Sequence, residues 1–259
     1  MRMMKKVLGT VTVLALSVSL LAGCGSTAAS PVSSAASTAA ESTTSSVVSE
    51  TTSAAADENV AAAAQLLNDL TGSYQELWPV ILADEYQQTW LDDCTALVGE
   101  ENAEAAFEKL SSMVTGDVYG EDAVEAYANG GGAYFCGFTN DLATLTFDGE
   151  TSTISGTDKD GNVLFSHTYH YIGMEPVRGL YEFESDDADS GEFTYFFLAP
   201  DTSAETYHIE FRYGSDADAL SQYDAGDYAY WVASGISTDC DQTMIDNCIE
   251  LFCTENLAG

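Results

Sequence analysis

Basic residues are scarce in this sequence of 259 residues. It has 7 Lys and Arg against 42 Asp and Glu, which gives a formal net charge of −35, and Arg2, Lys5 and Lys6 all lie at the N-terminus. Proteins that bind nucleic acids meet the phosphates with Lys and Arg, so the composition excludes nucleic acid as a partner. It also argues against docking by charge on an anionic bilayer. Such a surface instead concentrates cations around it without selecting among them.

Histidine is the second scarce residue type, with only His167, His170 and His208 in the chain. Serine and threonine are abundant, yet three scattered histidines fit none of the nucleophile–base arrangements of hydrolases. Pairs of carboxylates are inevitable among 42 acidic residues and therefore identify no acid–base site. The sequence predicts that this protein is not an enzyme.

The N-terminus has the pattern of an export signal over residues 1–23. A basic start precedes an apolar stretch from Val7 to Leu21, which is too short for a permanent membrane span and ends at Leu21-Ala22-Gly23-Cys24. This ending resembles a bacterial lipobox, which implies cleavage before Cys24 and a lipid on that cysteine. The alternative is an ordinary secretory signal with a chance cysteine. We expect a protein whose lipid anchors it to the outer face of a bacterial membrane, in an extracellular or periplasmic location.

Residues 24–58, beginning with the lipidated Cys24, are predicted to be a disordered linker. Of the 32 residues from 25 to 56, 25 are Ser, Thr or Ala, and such a composition cannot bury enough apolar surface to form a core. The folded domain is therefore expected over residues 59–259.

Helical periodicity opens this domain and closes it. Apolar spacing of about 3.6 residues predicts helices over Asp57–Leu70, Ala83–Leu97, Ala103–Val114 and Asp241–Leu257. Between the first two of these, Pro79 predicts a break within Tyr74–Leu82.

From about Leu142 onward the apolar period changes to two residues, which predicts short strands. They are Ala143–Phe147, Thr151–Gly156, Val163–Ile172, Gly179–Phe183, Glu192–Leu198, Glu205–Tyr213 and Tyr228–Ala233. Asp158–Asn162 between two of them fits a hairpin turn better than a calcium loop, because the downstream ligands are missing. Regular short antiparallel strands predict a barrel or a sandwich, and the helices make the fold α+β, mainly β.

Five cysteines follow Cys24, in a compartment where disulfides form. Cys248 and Cys253 are five residues apart on the predicted C-terminal helix and point away from each other, so we do not expect them to pair. We predict a link from the helix that carries Cys94 to the C-terminal helix. An odd count leaves at least one thiol over, and zinc binding by that thiol stays open.

Three blocks of sequence, in order, carry a family resemblance. They are Leu70–Leu82, with Tyr74 and Trp78, Ser166–Gly173, and the run from Phe196 through Pro200 and Tyr207-His208-Ile209 to Leu220. Together they cover about residues 66–235 and resemble the ZinT family of exported zinc-binding proteins. The resemblance implies a lipocalin-like (calycin) antiparallel β-barrel with flanking N-terminal helices and a C-terminal helix, and it implies zinc as the bound metal.

The resemblance also implies where the zinc ligands would lie. The family uses one histidine four residues before the Pro of Ala-Pro and a His-x-His pair on the next strand. Residues i and i+2 of a strand face one side, and three imidazoles can hold zinc there. In this sequence Phe196, Thr206 and His208 occupy those positions, so one of the three ligands is kept. An intact site of the family type is therefore absent.

A rebuilt site is a hypothesis that the remaining residues allow. His208 and Glu210 share one strand face, and one histidine of the pair His167 and His170, with a water, would complete a set acceptable to zinc, His167 being the one we expect. His170 lies on the strand face opposite to His167, so the two cannot both reach one metal. The alternative for each of these side chains is an ordinary solvated or barrel-lining position.

Two functions follow from these expectations. The first is a membrane-tethered protein that captures zinc, with a degenerate or rebuilt site, and passes it to the binding protein of a zinc ABC transporter in zinc acquisition or trafficking. The alternative is a lipocalin-like module without a specific metal site, which binds a small organic ligand in a barrel cavity lined by Phe196 and by Tyr195 or Phe197.

Overall fold

The computed structural model describes residues 58–200 and 208–258. The predicted signal peptide, Cys24, the predicted linker up to residue 57, and Thr206 lie outside the described residues. Within the described ranges, no helix is long and apolar enough to cross a membrane.

Eight antiparallel strands form a closed barrel, in which each strand pairs with the next along the chain and the last pairs with the first. They are β1 (Gly72–Glu76), β2 (Thr144–Asp148), β3 (Thr153–Thr157), β4 (Val163–Met174), β5 (Tyr181–Ser185), β6 (Tyr195–Leu198), β7 (Ile209–Gly214) and β8 (Ala233–Ser237). This is the up-and-down architecture of lipocalin-like barrels. The predicted fold class, an antiparallel barrel with flanking helices, is confirmed.

The alternation of apolar and polar side chains along the strands explains why the barrel has an apolar interior. In β4 the side chains of Phe165 and Tyr169 are buried, whereas Ser166, Thr168 and His170 are exposed. Alternate residues of a strand point to opposite faces, so this pattern directs the aromatic rings into the barrel. Asp158 accepts backbone hydrogen bonds from Asp160 and Asn162 in the turn before β4, which confirms the predicted turn.

The first strand was not predicted and closes the barrel. Instead of a segment broken at Pro79, Gly72–Glu76 forms β1 and Leu77–Ile81 forms a short helix. Pro79 is the third residue of that helix, where a backbone N–H has no partner within the helix, so the expected break does not occur. β1 pairs with β2 on one side and with β8 on the other.

The last strand begins five residues later than predicted, at Ala233 instead of Tyr228. Residues 228–232 are not part of a regular strand because their backbone is bonded elsewhere. Tyr228 O accepts a hydrogen bond from Arg212, Val232 N donates to Phe135 O, and Tyr230 has a φ of 55°. The strand begins at Ala233, once the chain is free to pair with β1 and β7.

Helices pack on the barrel and build a second core beside it. In the described ranges they are α1 (58–69), α2 (Leu77–Ile81), α3 (Gln87–Val98), α4 (Ala103–Val114), α5 (Glu121–Ala128), α6 (Ala217–Leu220) and α7 (Gln242–Leu257). α3, α4 and α7 bury Trp90, Leu110 and Ile249 against one another and against Ile236 of β8. The predicted helices at α1, α3, α4 and α7 are confirmed, and α5 was not predicted.

Candidate functional site

Phe196 lies inside the barrel, where it takes part in an aromatic cluster. Its side chain is fully buried, and its ring centroid lies 5.4 Å from those of Tyr169 and Tyr213 and 5.9 Å from that of Phe165. This position, where the resemblance would place a histidine, is therefore surrounded by apolar rings. The rings also occupy the space that the alternative function would need for a ligand beside Phe196.

His208 and Glu210 lie together on the outer face of the barrel wall. The buried side chains of Ile209 and Phe211 point into the barrel, so their neighbours in the strand point outward. His208 Nε2 lies 3.9 Å from Glu210 Oε1, with side-chain exposures of 17% and 45%. The predicted pairing of these two residues on one face is present, but Phe196 faces the opposite side of the wall.

The other two histidines are each held by an aspartate. His167 Nδ1 lies 2.8 Å from Asp187 Oδ2, and His170 Nδ1 lies 2.8 Å from Asp186 Oδ1. They lie on opposite faces of β4, as predicted.

His167 does not join His208. Strand pairing from β4 through β5 and β6 places the His167 end of β4 near Gly214, the last residue of β7. His208 immediately precedes the first residue of β7. His208 and Glu210 therefore come together without the third ligand that the hypothesis drew from β4.

Cys136 is the titratable side chain that the sequence left unassigned and that the structure links to Glu210 through Ser234. Glu210 pairs with Ser234 across β7 and β8, and Ser234 N donates a 3.0 Å hydrogen bond to Cys136 O. Burial raises the pKa of the Cys136 thiol to about 12, and the Glu210 carboxylate contributes to this rise. The sequence carried no local signal for this contact, because the residues are 74 apart and belong to different elements.

The donor chemistry of this cluster suits zinc, but the geometry gives fewer ligands than a zinc site needs. Imidazole, carboxylate and thiolate are all zinc ligands, and three or four are used together. No three His, Cys, Asp or Glu side chains among the described residues form a group that could hold a metal ion. The site therefore consists of one close pair, His208 and Glu210, with Cys136 on the segment that is bonded to the neighbouring strand β8.

A partly open cavity of about 310 Å³ lies between the end of β1 with α2, the end of α4 and the chain at 135–137. Its lining includes Glu76, Trp78, Val114, Phe135 and Cys136. The buried N–H of Trp78 points toward the Cys136 thiol, and this contact favours the thiolate. A mostly apolar pocket with a few polar groups is typical of small-molecule sites.

Comparison with known proteins gives little beyond this geometry. The sequence matches no protein-family model and no curated protein. The zinc-bound ZinT-like domain of AdcA from Streptococcus pneumoniae is similar in structure at 15% identity, over 71% of this chain and 89% of that chain, with a TM-score of 0.45. Zinc-bound AdcA from the same organism is 14% identical over 70% of this chain and 34% of that chain, with a TM-score of 0.43. At these identities and TM-scores the similarity shows neither the family nor the function of this chain.

Proposed function

We propose that this chain is a membrane-tethered, extracytoplasmic zinc-binding protein that acts in zinc acquisition or trafficking. The observation that carries the proposal is the approach of His208 Nε2 to within 3.9 Å of Glu210 Oε1 on the outer face of the barrel. The export signal that ends at Cys24 and the three sequence blocks that resemble the ZinT family support the location and the cargo. The anchor would be the lipid on Cys24.

The two side chains differ in how they would hold the ion. His208 offers an imidazole nitrogen, and the half-exposed Glu210 offers a carboxylate oxygen. Two such donors leave room for water or for one more protein ligand. Cys136 is our candidate for that role, because its backbone oxygen accepts a hydrogen bond from Ser234, the residue that pairs with Glu210. Its raised pKa means that the thiol would have to lose its proton when zinc binds.

An outward-facing and incomplete ligand set suits transfer of zinc better than storage. An ion held by few protein ligands at the surface can pass to a partner that offers more of them. The net charge of −35 would raise the local concentration of cations around the domain. We therefore propose the binding protein of a zinc ABC transporter as the receiving partner.

The 310 Å³ cavity favours a second candidate function, the binding of a small organic ligand without a specific metal. This site differs from the barrel cavity that the sequence predicted, since Phe196 fills its part of the interior. Glu76 and the N–H of Trp78 would orient a ligand among apolar walls. The absence of enzymatic activity stays a prediction.

A competitive zinc titration against a chromophoric chelator tests the zinc proposal. We expect the unchanged protein to bind one zinc ion with sub-micromolar affinity, and His208→Ala to weaken that binding by roughly 100-fold or more, because an imidazole ligand is lost. His170→Ala is the matched control. It also removes one imidazole, but His170 is exposed on β4 and bonded to Asp186, so this variant should bind zinc as the unchanged protein does.

Weak binding of several ions that neither substitution alters would contradict the proposal. Such a result would reflect the acidic surface alone and would favour the cavity beside Trp78 as the functional site.

A further inference from the structure

Two cysteine side chains meet between α3 and α7, away from the site described above. Cys94 Sγ lies 3.9 Å from Cys253 Sγ, and both residues are fully buried. α3 and α7 pack side by side in the second core, so two helices hold the sulfur atoms in place. The predicted link between the Cys94 helix and the C-terminal helix thus has a specific partner in Cys253.

The remaining described cysteines do not compete for this pairing. Cys248 lies five residues before Cys253 on α7, which places it on another part of the helix surface. Cys136 belongs to the segment bonded to Ser234, and Cys240 is half-buried in front of α7. A separation of 3.9 Å must shorten to about 2.05 Å for a bond, which rotation about the Cα–Cβ bonds and a small approach of the helices can supply.

We propose that the mature protein carries a disulfide between Cys94 and Cys253. Each thiol loses a proton, the two sulfur atoms form one bond, and two electrons pass to a low-molecular-weight or protein disulfide, which is thereby reduced to two thiols. The bond forms during folding, before the helices bury both sulfur atoms. The inference does not depend on zinc binding.

The position of this bond in the chain gives it a structural role. The cysteines are 159 residues apart, and the segment between them contains strands β2 to β8. A crosslink over so long a loop reduces the conformational freedom of the unfolded chain considerably. It would also join α3 to α7 covalently on the outside of the barrel.

The test uses the full chain refolded with either glutathione disulfide or a reductant. After alkylation and non-reducing proteolysis, mass spectrometry should detect a peptide pair joined through Cys94 and Cys253, and denatured oxidised protein should have two fewer reactive thiols. Reductant should lower the melting temperature by roughly 5–10 °C, as expected for the loss of a long-loop disulfide in a domain of this size.

Variants separate the disulfide from a general effect of reductant. Cys253→Ala should melt at the same temperature with and without reductant, whereas Cys248→Ala, a buried cysteine of the same helix, should keep the difference. The absence of the joined peptide from the oxidised full chain would overturn the proposal. Mass spectrometry of the oxidised full chain therefore tests the disulfide even if Cys253→Ala fails to fold. A reductant shift that persists in Cys253→Ala would overturn it as well.

Discussion

Arg212 shows how a single residue fixes the loop that leads into the last strand. It is fully buried on the outer face of β7, and its guanidinium donates to the backbone oxygens of Leu220, Gln222 and Tyr228. Its Cζ lies 4.3 Å from the ring centroid of Tyr223, and Arg178 lies at the same distance from that ring. The planar guanidinium thereby satisfies several carbonyl groups at once, which a lysine ammonium cannot do in this geometry.

Arg212→Lys is therefore expected to lower the free energy of unfolding by about 2–4 kcal/mol, because buried carbonyls lose charged hydrogen bonds and the aromatic contact. Chemical denaturation measures this loss. Arg178→Lys is the control, since Arg178 makes the same ring contact but does not hold those three carbonyls. Equal losses in the two variants would contradict the role assigned to the carbonyl contacts.

The α3–α7 interface shows that packing between elements can impose an electrostatic cost. Asp93 on α3 has a buried Oδ2 without a hydrogen-bond partner. Burial raises the pKa of this carboxyl, and the charges of Glu250 and Asp246 on α7 raise it further. A raised pKa means that the folded protein favours the neutral form of Asp93. The protonated side chain therefore stabilises the fold at low pH, and this contribution is lost as the pH rises through the pKa that Asp93 has in the folded state.

Asp93→Asn is expected to raise the melting temperature at neutral pH by a few degrees, because it removes a charge that the interface disfavours. At pH 3, where Asp93 is protonated, the gain should vanish. Asp92→Asn changes the net charge equally at an exposed position bonded to Gln88, and it should give a smaller gain. Thermal melts of the three proteins at both pH values check this, and a gain for Asp93→Asn that is the same at both would contradict it.

At the scale of the whole molecule, the excess of acidic residues opposes the compact barrel. The described part of the chain contains four basic residues, Lys109, Lys159, Arg178 and Arg212, and the last is buried. The surface carboxylates therefore repel one another with few cations between them.

Salt should therefore stabilise the folded protein. Raising sodium chloride from about 10 mM to about 500 mM shortens the screening length from ~30 Å to a few ångströms and should raise the melting temperature by several degrees at pH 7. The same change at pH 3, where most of the acidic charge is lost, serves as the control and should have a much smaller effect. A melting temperature that does not depend on salt at pH 7 would contradict this account.

The sequence alone determined the class of fold and part of the candidate site. The alternation of Phe165, Ser166, His167 and Thr168 fixes which side chains face inward, because a strand has a strict period of two. The same rule places His208 and Glu210 on one face. These features depend on neighbours in the chain, so local pattern is sufficient to predict them.

Only the tertiary structure decided which segments far apart in the chain pair or contact each other. β1 is a strand because β2 and β8 pair with it on its two sides, and residues 228–232 are irregular because Arg212 and Phe135 bind their backbone. The approach of Cys94 to Cys253 and the link from Cys136 through Ser234 to β7 arise in the same way. Periodicity specifies which face a residue occupies, but only the closure of the barrel and the docking of its helices decide which faces meet.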